Sequence, residues 1–450
     1  MDLSTPPKIW QLAWPTIIAN LLLAGVGLVQ VILATYISTD AIAAMTIVQR
    51  FFFILQAALF GLAIGVSAVI AKSIGANAIE KAGQAAQSAL LLGFVITSII
   101  SVLCFVIAPW VTRWFELPES IHATTINMIR WICVFSPIYS LNIIFTSCLR
   151  ASGDAISPLY LAFIAFSGNV LGSIALSKGW FGLPALGVEG IVIGAIVGSI
   201  FAIVMCLHQW KKGRYILRYP ITSNHRKKLA LLLKIGLPSA YEQCIIQLGF
   251  LVFTIAVAQY GQDALAAYGL GVNILSLIII IALALSTSGA IIVGQYIGAQ
   301  QPQLAYQQGW RSWRVSMVFL LCSAVVLMAF AANIAQALAS APEVVELTTL
   351  FLFIVAISLP FLATDFALGG AIRGAGDTRF PLYVTLCTLI LVRFVLPFVC
   401  IYYELSITVL FALTALDFGI KAMFMLWYFR KKTWLNKMPI STTPTSSTTP

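Results

Sequence analysis

The chain has 450 residues, of which 60% are hydrophobic and only 9% charged. A soluble globular chain is about 25% charged, so there is too little polar surface here for a water-soluble body, and a polytopic membrane protein is the reading that remains. The net charge of +11 is strung along one set of loops, so it reads as an orientation signal plus attraction to anionic lipid, and no nucleic-acid partner is expected.

Apolar stretches near or above about 20 residues, the length that crosses a hydrocarbon core of about 30 Å, recur throughout. They lack the alternation of an outer-membrane barrel, so the expected fold class is all-α integral membrane. Twelve spans are predicted, at 9–36, 41–71, 86–110, 121–148, 157–177, 184–209, 231–259, 264–294, 312–338, 345–371, 380–401 and 406–429. The first contains Pro15 and Asn20 and runs straight into the body of the protein, so it is read as a retained span, not a cleaved leader. A basic amphipathic connector, KKGRYILRYPITSNHRKK, lies between the sixth and seventh spans. The end, PISTTPTSSTTP, has no means of packing and is expected to be disordered. The division is an amino-terminal six-helix lobe at 1–210, the connector at 211–230, a carboxy-terminal six-helix lobe at 231–430 and a tail at 431–450. All eight cysteines fall in apolar stretches without metal spacing, which makes them small core hydrophobes.

Lys8, Lys72, Lys81, Arg150, the connector, Arg311, Arg314, Arg373, Arg379 and Arg430–Lys432 fall on one side of the spans. The opposite loops carry Asp40, Glu116, Glu119, Asp263, Glu343, Glu346 and Glu404. The basic side is therefore expected to be cytoplasmic, with both termini on it, in the inner membrane of a cell.

One phrase occurs twice. CLRASGDAISPLY runs from Cys148 to Tyr160, and AIRGAGDTRFPLY from Ala371 to Tyr383. Arg150 and Arg373 lie 223 residues apart, and the same ungapped offset pairs Pro15 with Pro238, Asp40 with Asp263, Gly75 with Gly298 and Pro137 with Pro360. Each copy holds six spans, an even number, so both copies have the same orientation. Two parallel repeats are related by an axis along the membrane normal, an arrangement that makes a central cavity able to open to either face. Gly-Asp breaks the helix, Pro starts the next one, and Arg marks the membrane boundary, so the phrase itself reads as a structural turn.

These residues resemble the multidrug and toxic compound extrusion family along the whole chain. The carriers are LAWPTIIAN, TDAIAA, GAN, LRASGD, KGWFGLPALGVEG, QDALAA and IRGAGDTRFP. The resemblance, greatest to the DinF-like and related prokaryotic branches, implies a twelve-span, two-lobe fold. It also implies export of organic, often cationic compounds in exchange for H+ or Na+. The DinF-like branch commonly carries an Asp in span one and another in span five. Here Gln30 and Ser173 stand at those places, so an amino-lobe proton relay is not supported, although Gln30 and Asn169 remain able to hydrogen-bond a substrate.

Seven ionisable residues fall within spans, where they are costly and usually functional or paired. Arg50 and Arg130 lie near the outer surface and can snorkel. Arg393 lies deeper and has no assigned role beyond pairing with a carboxylate. Asp417 and Lys421, four residues apart with opposite signs, form an expected structural ion pair, the alternative being that Asp417 joins the ion site. Glu242 and Asp365 have no basic residue one turn away on their own helices and stand at similar depth, about 15 and 12 Å from the basic side at 1.5 Å per residue. Each follows a proline, Pro238 and Pro360, which frees backbone carbonyls nearby. Two acids with free carbonyls suit a proton relay, or a small hard cation such as Na+, for which both would be metal ligands. Capping of internal hydrogen-bond networks is the plainer alternative. In the NorM-like branch, acids on spans seven and ten form the carboxy-lobe cation site, which agrees with this pair. The same repeat positions in the amino lobe hold Ala19 and Asn142, so the charged site belongs to one lobe.

Polar residues at related depth make candidate cavity positions: Gln30, Tyr139, Asn142, Asn169, Tyr241, Gln243, Gln247, Tyr268 and Asn273, with Thr364 beside Asp365. Phe51, Phe52 and Phe53 offer aromatic surface for flat cations or for lipid. No cofactor is expected beyond the coupling ion, and the expected partners are a small-molecule substrate and the bilayer, with the chain a monomer. No nucleophile–base or phosphate-loop pattern appears, so an enzyme is not expected. The other function carried forward is a lipid-linked oligosaccharide flippase, against which stand the twelve spans and the two interior acids.

Overall fold

A computed structural model of the chain describes residues 7–113, 119–182, 184–217 and 225–436. The amino lobe comprises α1 (Ile9–Thr35), α2 (Thr39–Gly75), α3 (Ile79–Arg113), α4 (Glu119–Ala151), α5 (Ile156–Lys178) and α6 (Gly187–Lys211). The carboxy lobe comprises α7 (His225–Ala258), α8 (Gln262–Gly298), α9 (Pro302–Leu338), α10 (Pro342–Gly374), α11 (Arg379–Tyr402) and α12 (Ile407–Arg430). Eleven are long and apolar enough to cross a membrane, and the Leu59–Gly75 part of α2 is apolar as well. Several helices outrun the predicted spans on the basic side. α3 begins at Ile79 and α9 at Pro302 because polar, helix-forming turns such as QPQLAYQQGW continue the helix past the apolar window.

The two copies of the repeated phrase fold identically. Gly153 and Gly376 take φ of 97° and 95°. Asp154 N–H reaches back to Leu149 O (3.1 Å) and Asp377 N–H to Ile372 O (3.2 Å), the long bond of a Schellman helix end. Their Asp side chains differ. Asp154 Oδ1 accepts from Ser157 N–H (2.9 Å) at the start of α5, whereas Asp377 Oδ2 accepts from the Tyr428 hydroxyl (2.6 Å) on α12.

The lobes meet on their basic halves. Where α2 crosses α8, a Cβ on Gly75 would run into the Gln295 backbone and one on Gly298 into the Lys72 backbone. Lys72 and Gln295 are themselves a 223-residue pair, so the crossing is reciprocal and the pseudo-twofold axis passes through it. Gln295 Nε2 also donates to Ala151 O across the lobes (3.1 Å), and Gly65 lies against Gly236 where α2 meets α7. One apolar cluster on this side joins Ile70, Ile74, Phe145 and Leu149 to Leu232, Ile235, Ile291 and Ile292. Towards the acidic side the cores part. Ala44, Met45, Met128 and Cys133 form an amino-lobe cluster, while Tyr268, Phe351, Leu410 and Phe411 belong to a carboxy-lobe one. The apolar core among the described residues is therefore shared on the basic side and largely separate toward the acidic side.

Beyond α6 the connector folds back: Trp210 Nε1 donates to Leu217 O (2.8 Å), and Tyr215 packs on Phe145. Residues 218–224 lie outside the described part. After α12 the chain stays ordered further than expected, because the turn Thr433–Asn436 buries Trp434 completely against Phe429. The Ser/Thr/Pro end lies outside the described residues.

Candidate functional site

The carboxy lobe gathers six charged side chains in its interior. Glu242 on α7 is 1% exposed, and the Arg373 guanidinium from α10 forks onto it, with Nη2–Oε1 at 2.5 Å and Nε–Oε2 at 3.2 Å. Thr385 on α11 donates a third bond to Glu242 Oε1 (3.3 Å). The sequence suggests Arg373 at the membrane boundary, and in the structure its side chain turns inward from the end of α10 to pair with Glu242. Pairing with a dry carboxylate outweighs snorkelling, and Gly369, one turn earlier on α10, leaves room for the side chain to fold back along its own helix. Glu242 was isolated only with respect to its own helix; its partner comes from a neighbouring one.

Asp417 and Lys421 on α12 pair as expected (3.1 Å), and Arg393 Nε adds a second cation at Asp417 Oδ2 (3.0 Å). Arg393 lies over the rings of Phe250 and Phe253 at 5.5 and 4.9 Å. It is carried on the π-helical turn Leu389–Val395. That widening falls where Pro397 withholds an N–H from the ladder, and Gly249 of α7 makes room opposite: a Cβ there would stand 2.7 Å from Leu389 Cδ1.

Asp365 sits between these two groups. The charges that act on it are those of Lys421, Arg373, Glu242 and Asp417. Of the buried carboxylates among the described residues (Glu242, Asp365, Asp377 and Asp417), Asp365 alone takes no hydrogen bond or ion pair. With all six groups ionised, three acids balance three bases. A cation taken up at Asp365 leaves the cluster one charge positive. The arrangement is thus a neutral, nearly dry polar core with one carboxylate in reserve.

The remaining candidates scatter. Tyr139 accepts from Gln56 Nε2 (3.3 Å) and lies beside Phe52. Asn169 is buried where α5 packs against Gly198 of α6, and its Oδ1 accepts from Ser199 (3.5 Å). Ser173 donates to Ile191 O (2.8 Å). Tyr268 is enclosed by Phe253, Phe351 and Phe411 inside the lobe. Gln30, Asn142 and Gln243 are partly buried, whereas Tyr241, Gln247 and Asn273 are exposed. Thr364 accepts from Trp313 Nε1 (3.0 Å) and donates to Pro360 O (3.0 Å). The side chains of Arg50 and Phe53 lie outside the described part. Sequence reading missed the Glu242–Arg373 pair; the signal available was that both residues change or persist within one repeat, Glu242 replacing Ala19 while the Arg is kept in both copies.

Two parallel six-helix lobes around a cleft, with a charged core in one of them, define a membrane transporter. The MatE family model matches residues 15–174 and again 238–399, once per repeat. The chain belongs to this family, the multidrug and toxic compound extrusion transporters. It is 23% identical over 402 residues to a probable multidrug resistance protein NorM of Thermotoga maritima, covering 89% of this chain and 87% of that one. Its fold is similar to that of a MOP superfamily transporter from Pyrococcus furiosus, with a TM-score of 0.88 at 17% identity and 96% of each chain covered. It is similar also to the Vibrio cholerae MATE transporter VcmN in the bent form, with a TM-score of 0.84 at 22% identity, covering 94% of this chain and 96% of that one.

Proposed function

We propose that this chain is a secondary antiporter of the inner membrane that exports organic, cationic or amphiphilic compounds in exchange for H+ or Na+. Both termini are cytoplasmic, the monomer is the working unit, and the cleft opens outward. Asp365 takes the coupling ion, and Glu242 serves with it through Arg373. The observation that carries this reading is the reserve carboxylate: one dry acid without a bonded partner, set among five other charges.

An ion at Asp365 weakens the pull of that acid on Arg373 and Lys421, so the pairs around it rebalance. Arg373 ends α10 and Glu242 lies on α7, which lines the seam with α2, so a shift in their pairing is felt where the lobes touch. Coupling follows if the ion and the substrate prefer opposite facings. The flippase reading asks for a cationic cavity, and in the carboxy lobe Arg373, Arg393 and Lys421 are each held by a carboxylate.

The test is efflux of a fluorescent organic cation from proteoliposomes, driven first by a pH gradient alone and then by a sodium gradient alone. At least one gradient should drive export against the substrate's own gradient. Export under neither would sink the antiport reading.

A further inference from the structure

Arg373 has a counterpart, Arg150, at the end of α4, and its surroundings differ. Arg373 is held by Glu242, which in turn accepts from Thr385. The positions 223 residues earlier hold Ala19 and Ala162, which offer a methyl group each. Arg150 Nη2 donates only to Ser147 Oγ on its own helix (3.3 Å), and Nε is buried with no partner. Among the described residues no carboxylate is bonded to Arg150.

A guanidinium stays charged at any physiological pH. A desolvated charge without a partner is strongly unfavourable, and among the described residues no carboxylate supplies the counter-ion of Arg150. The group is partly buried, which lets a small solute reach it while water is thinned around it. Its fork geometry matches an oxyanion with two adjacent oxygens. Arg130 is a different case, because it lies over the ring of Phe105 at 5.2 Å.

We propose that Arg150 is an anion-binding site of the amino lobe, occupied by a phosphate or carboxylate group that takes the place Glu242 fills in the other lobe. The anion is a free solute or a charged group on a phospholipid; in either case the chemistry is an oxyanion on a guanidinium fork. This site does not depend on the coupling role of Asp365.

The experiment measures thermal unfolding of the purified full chain in neutral detergent against increasing inorganic phosphate. It compares wild type with Arg150→Gln and with Ala19→Glu, the latter supplying an internal carboxylate. Wild type should show a saturable rise in Tm, and both variants should lose it or need at least about tenfold more phosphate. If Ala19→Glu does not fold, Arg150→Gln alone decides. Repeating the titration in nanodiscs with and without phosphatidylglycerol separates the sources: competition by the lipid identifies a headgroup, and indifference identifies a solute. No saturable response in wild type, or the same response in Arg150→Gln, overturns the proposal.

Discussion

A single position decides the character of each lobe. Glu242 and Ala19 occupy the same place in the repeat, and the Arg that pairs with Glu242 is kept in both copies. In the carboxy lobe the result is a forked, buried ion pair. Breaking such a pair from one side leaves an uncompensated charge, at a cost of about 3–5 kcal/mol. Arg373→Gln and Glu242→Gln should therefore each lower Tm markedly in detergent. The double variant should recover part of the loss, since neither charge is then stranded; equal, additive losses would mean that the pair contributes nothing as a pair. The acids themselves were legible in the sequence, because charge in an apolar span is conspicuous. Their partners were not: Arg373 is 131 residues from Glu242 and Arg393 is 24 from Asp417, and helical periodicity reports only neighbours on one helix.

Helix ends and crossings carry the repeat's structural meaning. The twice-written turn was readable as a turn, and it folds as one in both copies. The IGA endings of α2 and α8 were readable as repeat partners, but not as the place where the lobes cross, since that requires knowing which helices touch. At the crossing a side chain on Gly298 would meet the Lys72 backbone. Gly298→Val should force the basic ends apart: spin labels on the basic ends of α2 and α8, in a cysteine-free background, should report a longer distance than in the parent. An unchanged distance would show that this crossing does not seal the lobes. The π-helical turn in α11 had one sequence sign, Pro397, and the matching vacancy at Gly249 becomes visible only once α7 and α11 are side by side.

At the scale of the molecule, duplication supplies two lobes and divergence gives them different electrostatics. In the carboxy-lobe cluster three acids balance three bases, with one acid lacking a bonded partner, while Arg150 in the amino lobe has no bonded carboxylate among the described residues. The shared core lies on the basic half and the lobes part beyond it, so rocking about the glycine seam is the economical route between facings. Twelve spans, two parallel copies and the polarity of the loops followed from composition and offset alone. Which polar residues are enclosed did not, because Tyr241 and Glu242 are adjacent in sequence, yet the first is 60% exposed and the second 1%.

The most direct measurement is substrate export by Asp365→Asn in proteoliposomes, with folding checked by gel filtration and by substrate binding. Our account predicts intact insertion and binding, with gradient-driven export abolished. Export at the wild-type rate under the same gradient would contradict it.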